Sequence, residues 1–323
     1  MIFIPFLDQT TNQLEAIREC ATIQYRGYQS LTYPQPELIG IKLPVNLIAY
    51  NFCSNQRDVY LYAIGKKMPE SFDRYRGRMI HSLYQEIWNS ILKKIASTSI
   101  SDLNLDKALR KNRTNILKKV RSKHKSIYRI LEEGLGEENL SSLQSSLEKE
   151  MEKIYSYEIR LAAALVDFEL SRALNQSVGE AFFQRIFALS INPNFHAPKL
   201  GFSSPITPDF VYKNNVVGDI KIGPWQDYYY HTITAYALAI EYHTRMPVNC
   251  GIVLHVNLDD SRHVPIHENV TFERIDDSMR KKFLMIRDQK LLIMLSKKDP
   301  GIPKDPDNCE ECGYYKICWE QTQ

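Results

Sequence analysis

The hydrophobic positions in the first half of the chain recur at helical spacing. Between residues 74 and 92 they lie three and four positions apart, which predicts an amphipathic helix with His81 near its start. The same periodicity predicts three more helices, over residues 11–21, 102–129 and 132–173. Gly134 and Gly136 supply the turn signal between the last two. The N-terminal half is therefore predicted to be mostly helical.

After Pro193, β-branched and aromatic residues become dense between turn signals, a pattern typical of strands. Strands are predicted over residues 208–212, 215–222 and 249–256, and helices over residues 229–243 and 272–298. One helix connects two of the strands and other helices flank them in the sequence, which favours an α/β core.

The chain has 323 residues, of which 44% are hydrophobic, so it can bury a large core, and intrinsic disorder is excluded. We expect a lead-in over residues 1–45, a helical region over 46–190 with an insertion at about 97–160, the α/β core over 191–299, and a cysteine-containing segment over 300–323. Six cysteines are too few for a disulfide scaffold, and neither a signal peptide nor an apolar run of roughly 18 to 20 residues is visible. A cytoplasmic protein without a membrane partner is expected.

The net charge of +3 averages an uneven distribution. Ten Lys or Arg residues and no carboxylate lie between residues 107 and 129, whereas the rest of the chain has 31 basic and 38 acidic residues. Residues 132–160 carry eight Glu against three basic residues. Two interpretations are open: a helical hairpin whose acidic arm neutralises the basic arm, or a surface that faces DNA.

A carboxylate and a lysine share one face of the strand predicted over residues 215–222. Residues two apart point to the same side of a strand, so Asp219 and Lys221 lie together while Ile220 points away. Such groups are costly to bury inside an apolar strand unless they are paired or bound to a metal. They therefore mark a candidate site, although a lone Asp-x-Lys is more often a surface ion pair.

The turn before this strand decides whether a second carboxylate joins the site. A three-residue turn pairs Tyr212 with Val216 and places Asp209 directly across from Asp219, whereas a two-residue turn puts Asp209 on the wrong face. We predict the three-residue turn, with one of its asparagines in the left-handed conformation.

Two facing carboxylates about 5 Å apart repel each other unless a hard cation such as Mg²⁺ or Mn²⁺ lies between them. That cation would polarise a phosphodiester and activate a water molecule, while Lys221 would orient or deprotonate the water and neutralise developing charge. His81 could add an imidazole ligand, which favours Mn²⁺.

Three cysteines in Cys309-x2-Cys312-x5-Cys318 form an incomplete set of thiolate ligands. Cys250 lies in an apolar strand and Cys20 has no special surroundings, so Cys53, just ahead of the His81 helix, is the best fourth ligand. Four thiolates suit either Zn²⁺ or a [4Fe–4S] cluster.

The chain resembles the RecB-like nucleases of the PD-(D/E)xK superfamily in four motifs, Gly77-x3-His81, Pro208-Asp209, Gly218-Asp219-Ile220-Lys221 and Tyr236-Ala-Leu-Ala-Ile-Glu241. The resemblance implies a restriction-endonuclease-like core in which Lys221 is catalytic and the metal ligands are His81, Asp209, Asp219 and the carbonyl of Ile220. That family usually has Gln-x3-Tyr on the helix after the catalytic strand, and here Thr232 stands in the Gln position. DNA contacts are implied for Tyr236, Thr232 and Arg57.

The cysteines extend the resemblance to the CRISPR-associated RecB-like exonucleases, in the archaeal form linked to type I-A loci. It implies a [4Fe–4S] cluster on Cys53, Cys309, Cys312 and Cys318 that packs the C-terminal segment on the Cys53 region. It also implies a Mn²⁺- or Mg²⁺-dependent exonuclease that acts on single-stranded or partly single-stranded DNA ends and trims spacer precursors in CRISPR adaptation, with CRISPR integrase proteins as partners.

The alternative is a catalytically weak DNA-end-binding or scaffold subunit of a spacer-integration complex. Thr232 in place of the usual Gln is its main support. The intact residues at the metal positions oppose it, because a decaying site is expected to lose those first.

Overall fold

The structure of the chain is a computed structural model. It describes residues 24–50, 53–98, 104–172, 189–212, 215–223, 225–258, 266–304, 309 and 312–319. The helix predicted over residues 11–21 lies outside these ranges, as do Cys20 and Asn214. Within them, no helix combines the length and the apolar character needed to cross a membrane.

Helices dominate the first half of the chain, and the strands follow. The helices are α1 (Val45–Ala49), α2 (Arg57–Ala63), α3 (Phe72–Ala96), α4 (Leu105–Lys123), α5 (Lys125–Leu135), α6 (Glu137–Arg172), α7 (Tyr229–Thr244), α8 (Asp277–Ser296) and α9 (Tyr315–Trp319). The strands are β1 (Leu189–Ile191), β2 (Phe210–Tyr212), β3 (Val216–Ile222), β4 (Cys250–Leu258) and β5 (Ile266–Arg274).

The five strands form one mixed sheet in chain order. β3 and β4 are parallel, and the other neighbours are antiparallel. A parallel pair needs a crossover connection, which α7 provides. The predicted α/β fold is therefore confirmed.

Each face of the sheet packs on a different set of helices. Phe210 and Ile220 point into a core formed with α3, α4 and α6. Val211 and Val217 point to the other face and pack with α1, α7 and α8. This alternation follows from the period of two along a strand, and it places Asp219 and Lys221 on the α7 side.

Two helix boundaries differ from the prediction for local reasons. The helix predicted from residue 272 begins at Asp277, because Phe272 pairs with Ile252 in the sheet and the Asp276 side chain caps the helix by accepting a 3.0 Å hydrogen bond from the Met279 amide. The prediction was wrong here because it overlooked β5, a strand in which polar residues interrupt the apolar pattern. The three-residue strand β1 was also not predicted.

The helix predicted over residues 102–129 is divided at His124. Its second part, α5, continues to Leu135, and Gly136 with a φ of 79° ends it. The next helix therefore starts at Glu137 rather than at residue 132. We call α4 to α6, residues 105–172, the helical arm.

Ion pairs link the basic and acidic helices of this arm. Arg121 lies 3.1 Å from Glu148, and Arg113 forms an ion pair with Glu152. In the basic segment, Lys119 and Lys123 bind Glu86 of α3, and Arg110 pairs with Asp106. The acidic arm thus pairs with two of the ten basic residues, as the hairpin interpretation expects, and three more pair with carboxylates outside that arm.

The other five basic residues are exposed and have no carboxylate partner among the residues the structure describes; they are Lys107, Lys111, Lys118, Lys125 and Arg129. On α4 the three lysines follow one another at spacings of four and seven, so they share one face of the helix. That face points away from the buried Leu109 and Ile116. A role of this face in DNA binding stays a prediction.

A buried carboxylate ties the start of the described chain to the sheet region. Glu241 of α7 is fully buried and accepts hydrogen bonds of 2.6 and 3.0 Å from Arg280 and of 2.7 Å from Arg26. The amides of Gly27 and Val248 donate two more, at 2.9 and 2.8 Å. Every oxygen of this buried group is therefore satisfied, as burial requires.

Candidate active site

Asp209 and Asp219 face each other across β2 and β3. Tyr212 pairs with Val216, and the ladder continues to the pair of Phe210 with Gly218, one position before the two aspartates. The next position places Asp209 opposite Asp219. The register predicted from a three-residue turn is therefore confirmed, whereas the turn residue Asn214 lies outside the described residues.

The residue before Asp219 has to be glycine in this packing. A Cβ atom on Gly218 would lie 1.7 Å from Cζ of Phe210, its partner across the strands. The Phe210 ring fills this space and contacts Trp88 at a centroid distance of 5.8 Å. The glycine of the Gly-Asp-x-Lys motif thus lets an aromatic ring close the core beneath the site.

Asp209 is held by both a strand and a helix. Its Oδ2 accepts a 2.7 Å hydrogen bond from the Ile220 amide, and its Oδ1 lies 3.2 Å from Nδ1 of His81 on α3. Burial raises the pKa of Asp209, but the charge and hydrogen bond of His81 outweigh it, so the net shift is downward. Burial likewise opposes protonation of His81, yet the Asp209 charge raises its pKa.

Asp219 and Lys221 form a buried ion pair, with Nζ 2.8 Å from Oδ2. Burial, reinforced by the Asp209 charge, raises the pKa of Asp219 to about 6 although Lys221 opposes the shift. The pKa of Lys221 is well above its usual value, because attraction to Asp219 outweighs burial. Lys221 is therefore a cation at neutral pH, which, of the two predicted roles, favours orientation of the water over its deprotonation.

Tyrosine rings surround the ammonium group of Lys221. Its Nζ lies 5.1 Å from the ring centroid of Tyr229 and 6.0 Å from that of Tyr50. Cation–π attraction of this kind fixes the side chain beside Asp219. The aromatic wall was not predicted, although the density of tyrosines at residues 228–230 was a visible signal.

Lys290 fixes the backbone beside this wall and was also missed by sequence reasoning. It is 1% exposed and donates hydrogen bonds of 2.8 and 2.5 Å to the carbonyls of Leu47 and Tyr50. A signal was available, because Lys290 lies three positions after Arg287 and directly before Leu291 on the apolar face of α8. A lysine there has to bind buried acceptors.

The candidate residues line one large cleft of about 1660 Å³. His81, Asp209, Asp219, Lys221 and Tyr236 all line it. Pockets for small molecules are usually about 300–1,000 Å³, so this cleft is large enough for a segment of a polymer.

The three predicted DNA contacts are placed differently. Tyr236 lines the cleft, and burial together with the Asp219 charge raises its pKa well above the usual value. Thr232 is 3% exposed and does not line the cleft, and its Oγ1 has no hydrogen-bond partner among the described residues. Arg57 is paired with Asp299 by two hydrogen bonds of 3.0 and 2.9 Å, and it too lies outside the cleft lining.

The candidate metal ligands are chemically suited to a hard divalent cation. Two carboxylates, an imidazole and a backbone carbonyl are ligands that Mn²⁺ and Mg²⁺ accept. Oδ2 of Asp219 is buried without a hydrogen-bond donor aligned to it, even though Lys221 lies close. As placed, however, no three His, Cys, Asp or Glu side chains in the described part of the chain are close enough together to hold a metal ion.

The cysteines of the C-terminal segment gather beside α2. Cys53, Cys309 and Cys318 are each 7% exposed or less. Cys318 and Tyr314 pack on Leu61, and the Cys312 amide donates a 2.9 Å hydrogen bond to the Cys309 carbonyl. No disulfide joins any two of the five cysteines in the described residues.

The thiol groups of this segment influence one another. Burial is the main reason that the pKa of Cys312 is raised to about 11, and Cys53 and Cys318 add to the shift. Burial also raises the pKa of Cys53 and of Cys318. The Arg57 amide lies 3.2 Å from Sγ of Cys53 and can donate to it. Burial by itself favours the neutral thiols, so a bound metal or cluster would have to stabilise their thiolate forms.

Comparison with known proteins gives a consistent result. The family model described as "CRISPR-associated exonuclease Csa1" matches residues 9–136 and 105–321. A CRISPR-associated exonuclease Csa1 from Saccharolobus solfataricus is 25% identical over 271 residues, which cover 83% of this chain and 82% of the relative. Another from Thermoproteus tenax is 29% identical over 178 residues, or 54% of this chain and 60% of that protein. The chain belongs to the Csa1 family of CRISPR-associated exonucleases.

Proposed function

We propose that the chain is a metal-dependent deoxyribonuclease of the PD-(D/E)xK type that degrades DNA from single-stranded ends. One observation carries the proposal: Asp209 lies opposite Asp219, with Lys221 beside them, in a cleft large enough for a polymer. The names of the relatives support exonuclease activity linked to CRISPR.

The residues of the site would have two roles: the acceptor groups would bind the metal, and the cationic lysine would act on the water and the phosphate. Asp209, Asp219, His81 and the Ile220 carbonyl would hold Mn²⁺ or Mg²⁺, which when bound polarises the phosphodiester and lowers the pKa of a water ligand. The Lys221 ammonium would orient the attacking water and offset the negative charge that develops on the phosphate. The rings of Tyr50 and Tyr229 would hold that ammonium in place.

A [4Fe–4S] cluster on Cys53, Cys309, Cys312 and Cys318 would join the C-terminal segment to α2. The burial of three of these cysteines and the influence of Cys53 and Cys318 on the pKa of Cys312 support this assignment. We further propose that the enzyme trims spacer precursors in the cytoplasm together with CRISPR integrase proteins.

Turnover of end-labelled single-stranded DNA tests the activity. Purified protein with Mn²⁺ is expected to shorten the strand progressively, and EDTA or Asp219→Asn is expected to stop it. Binding of DNA ends without any turnover would instead support the alternative of an end-binding or scaffold subunit. A matched variant, Asp227→Asn, removes an exposed aspartate that does not line the cleft and should cleave normally.

Anaerobic purification tests the cluster. The expected protein is brown and contains about four iron and four sulfide per chain. Cys318→Ser should lose most of this iron, whereas Cys250→Ser, which changes a buried cysteine in β4, should retain it. A colourless protein with one zinc per chain would contradict the iron–sulfur assignment.

A further inference from the structure

Large apolar side chains at the tip of the helical arm are exposed inside the cleft. Ile130 and Leu135 of α5 are 54% and 41% exposed, and Leu143 of α6 is 38% exposed. All three line the cleft that contains Asp209 and Lys221. We call Ile130, Leu135 and Leu143 the apolar tip.

A different part of the cleft lining is cationic. Lys66 and Lys67 follow α2, and Lys316 lies in α9. All three are exposed, and within the described residues none has a carboxylate partner. The cleft thus takes its apolar and its cationic lining from separate elements.

A single nucleic-acid strand likewise has a charged side and an apolar side. Its phosphates are charged along one side, and its unpaired bases expose apolar faces on the other. In a duplex the base faces are stacked and paired, so they cannot contact a protein wall in this way. The apolar tip and the candidate active site line the same cleft, so one strand held in the cleft can contact both.

We propose that the apolar tip is a base-binding wall, on which unstacked bases of the substrate strand lie while Lys66, Lys67 and Lys316 contact its phosphates. This inference rests on the proposed nuclease function and adds the part of the chain that distinguishes single strands from duplexes. The helical arm then has a role in substrate choice in addition to covering the sheet.

Equilibrium binding to two strands of equal length, one normal and one abasic, separates base contacts from phosphate contacts. The full cluster-loaded protein is used without Mn²⁺ or Mg²⁺, so that the strands stay intact. We expect the wild-type protein to bind the normal strand about tenfold more tightly than the abasic strand, since aliphatic contacts are weaker than the stacking of bases on aromatic rings.

The double variant Ile130→Gln/Leu143→Gln introduces good helix formers and removes two of the three apolar side chains of the tip. It is expected to reduce the preference for the normal strand to about twofold or less and to leave binding of the abasic strand unchanged. Leu295→Gln changes an exposed leucine of α8 outside the cleft lining and should keep the full preference. Because the readout is a ratio within one protein, partial misfolding does not imitate the result.

Equal binding of both strands by the wild-type protein would overturn the inference, and so would an equal loss on both strands in the double variant. Neither outcome depends on catalysis. Failure of the proposed function would appear separately, as absence of metal-dependent turnover by the wild-type protein.

Discussion

The amide of Ile220 donates a 2.7 Å hydrogen bond to Oδ2 of Asp209, so the strand that carries one carboxylate of the site also positions the other. The bond turns the remaining oxygen of Asp209 towards His81. The relative position of the two carboxylates is therefore set by backbone geometry rather than by flexible side chains.

Two substitutions at Asp209 should separate charge from hydrogen bonding. Asp209→Asn retains an acceptor for the Ile220 amide, whereas Asp209→Ala leaves that buried donor unpaired at a cost of about 1–3 kcal/mol. Both should lower cleavage by about 10³-fold, since removal of a group that stabilises transition-state charge has effects of this order. Only the alanine variant should unfold at clearly lower denaturant concentration. Equal stability of the two variants would show that the Ile220 bond contributes nothing.

Metal binding should weaken in acid. Below pH 6 Asp219 holds a proton, because burial raises its pKa to about 6, and a cation has to displace that proton. Above pH 6 the carboxylate is ionised, so Asp219 by itself should raise Mn²⁺ affinity about tenfold from pH 5 to pH 7. Calorimetric titration with Mn²⁺ at several pH values measures this. His81→Gln serves as the control, because it removes the second group whose raised pKa affects metal binding. If Mn²⁺ affinity did not change with pH in that variant, the role of Asp219 would be contradicted.

Glu86 should stabilise the helical arm at neutral pH. Burial opposes its ionisation, but hydrogen bonds from Lys119 and Lys123 lower its pKa below the usual 4.5. A lowered carboxyl pKa means that this contribution is present above pH 4.5 and is lost as the pH falls further. Glu86→Gln should cost about 1 kcal/mol at pH 7, since both lysines reach into solvent, and less at pH 3. Denaturant unfolding of both proteins at the two pH values tests this, with Glu148→Gln, which loses a single ion pair with Arg121, as the comparison.

Glu241→Gln should be far more damaging than loss of a surface carboxylate. It leaves Arg26 and Arg280 buried without a counter-charge, and breaking one partner of a buried ion pair costs about 3–5 kcal/mol. Glu152→Gln, on the exposed pair with Arg113, should cost less than about 1 kcal/mol. Thermal unfolding distinguishes them, and similar melting temperatures would contradict the structural role of Glu241.

Gly77 lies inside α3 and lines the cleft, with no atom within 4 Å of an added Cβ. Gly77→Ala should therefore stabilise the protein by about 1 kcal/mol through helix propensity alone. Gly77→Leu should be similarly helical but project a larger side chain into the cleft and weaken DNA binding severalfold. Unchanged binding by the leucine variant would show that the substrate does not approach α3 at this position.

The sequence was sufficient to predict the α/β class, the main helices and the register of β2 on β3. These features depend on periodicity and on one turn length, which are local properties. β5 escaped notice because its polar residues interrupt the apolar pattern, and the break at His124 has neither Gly nor Pro to mark it. Local patterns do not reveal features that only tertiary packing determines.

The candidate site likewise combines features that the sequence predicts with features that only packing determines. Asp219 and Lys221 follow from the strand period, and Asp209 follows from the turn. The approach of Tyr50 and Tyr229 to Lys221 depends instead on how α1 and α7 pack on the sheet, which no spacing encodes. The apolar tip could not be found either, because Ile130 and Leu143 read in sequence as ordinary core positions of amphipathic helices.

The contact between Arg26 and Glu241 changes the status of the segment that the sequence marked only as a lead-in. Arg26 and Gly27 complete the hydrogen bonds of a carboxylate in the middle of α7. This segment is therefore a clasp, in the sense that it fastens the start of the described chain to α7. A shortened protein that begins at residue 46 would keep every catalytic candidate and every cysteine of the proposed cluster. It would nevertheless lose the clasp and leave Glu241 with Arg280 as its one remaining arginine among the described contacts.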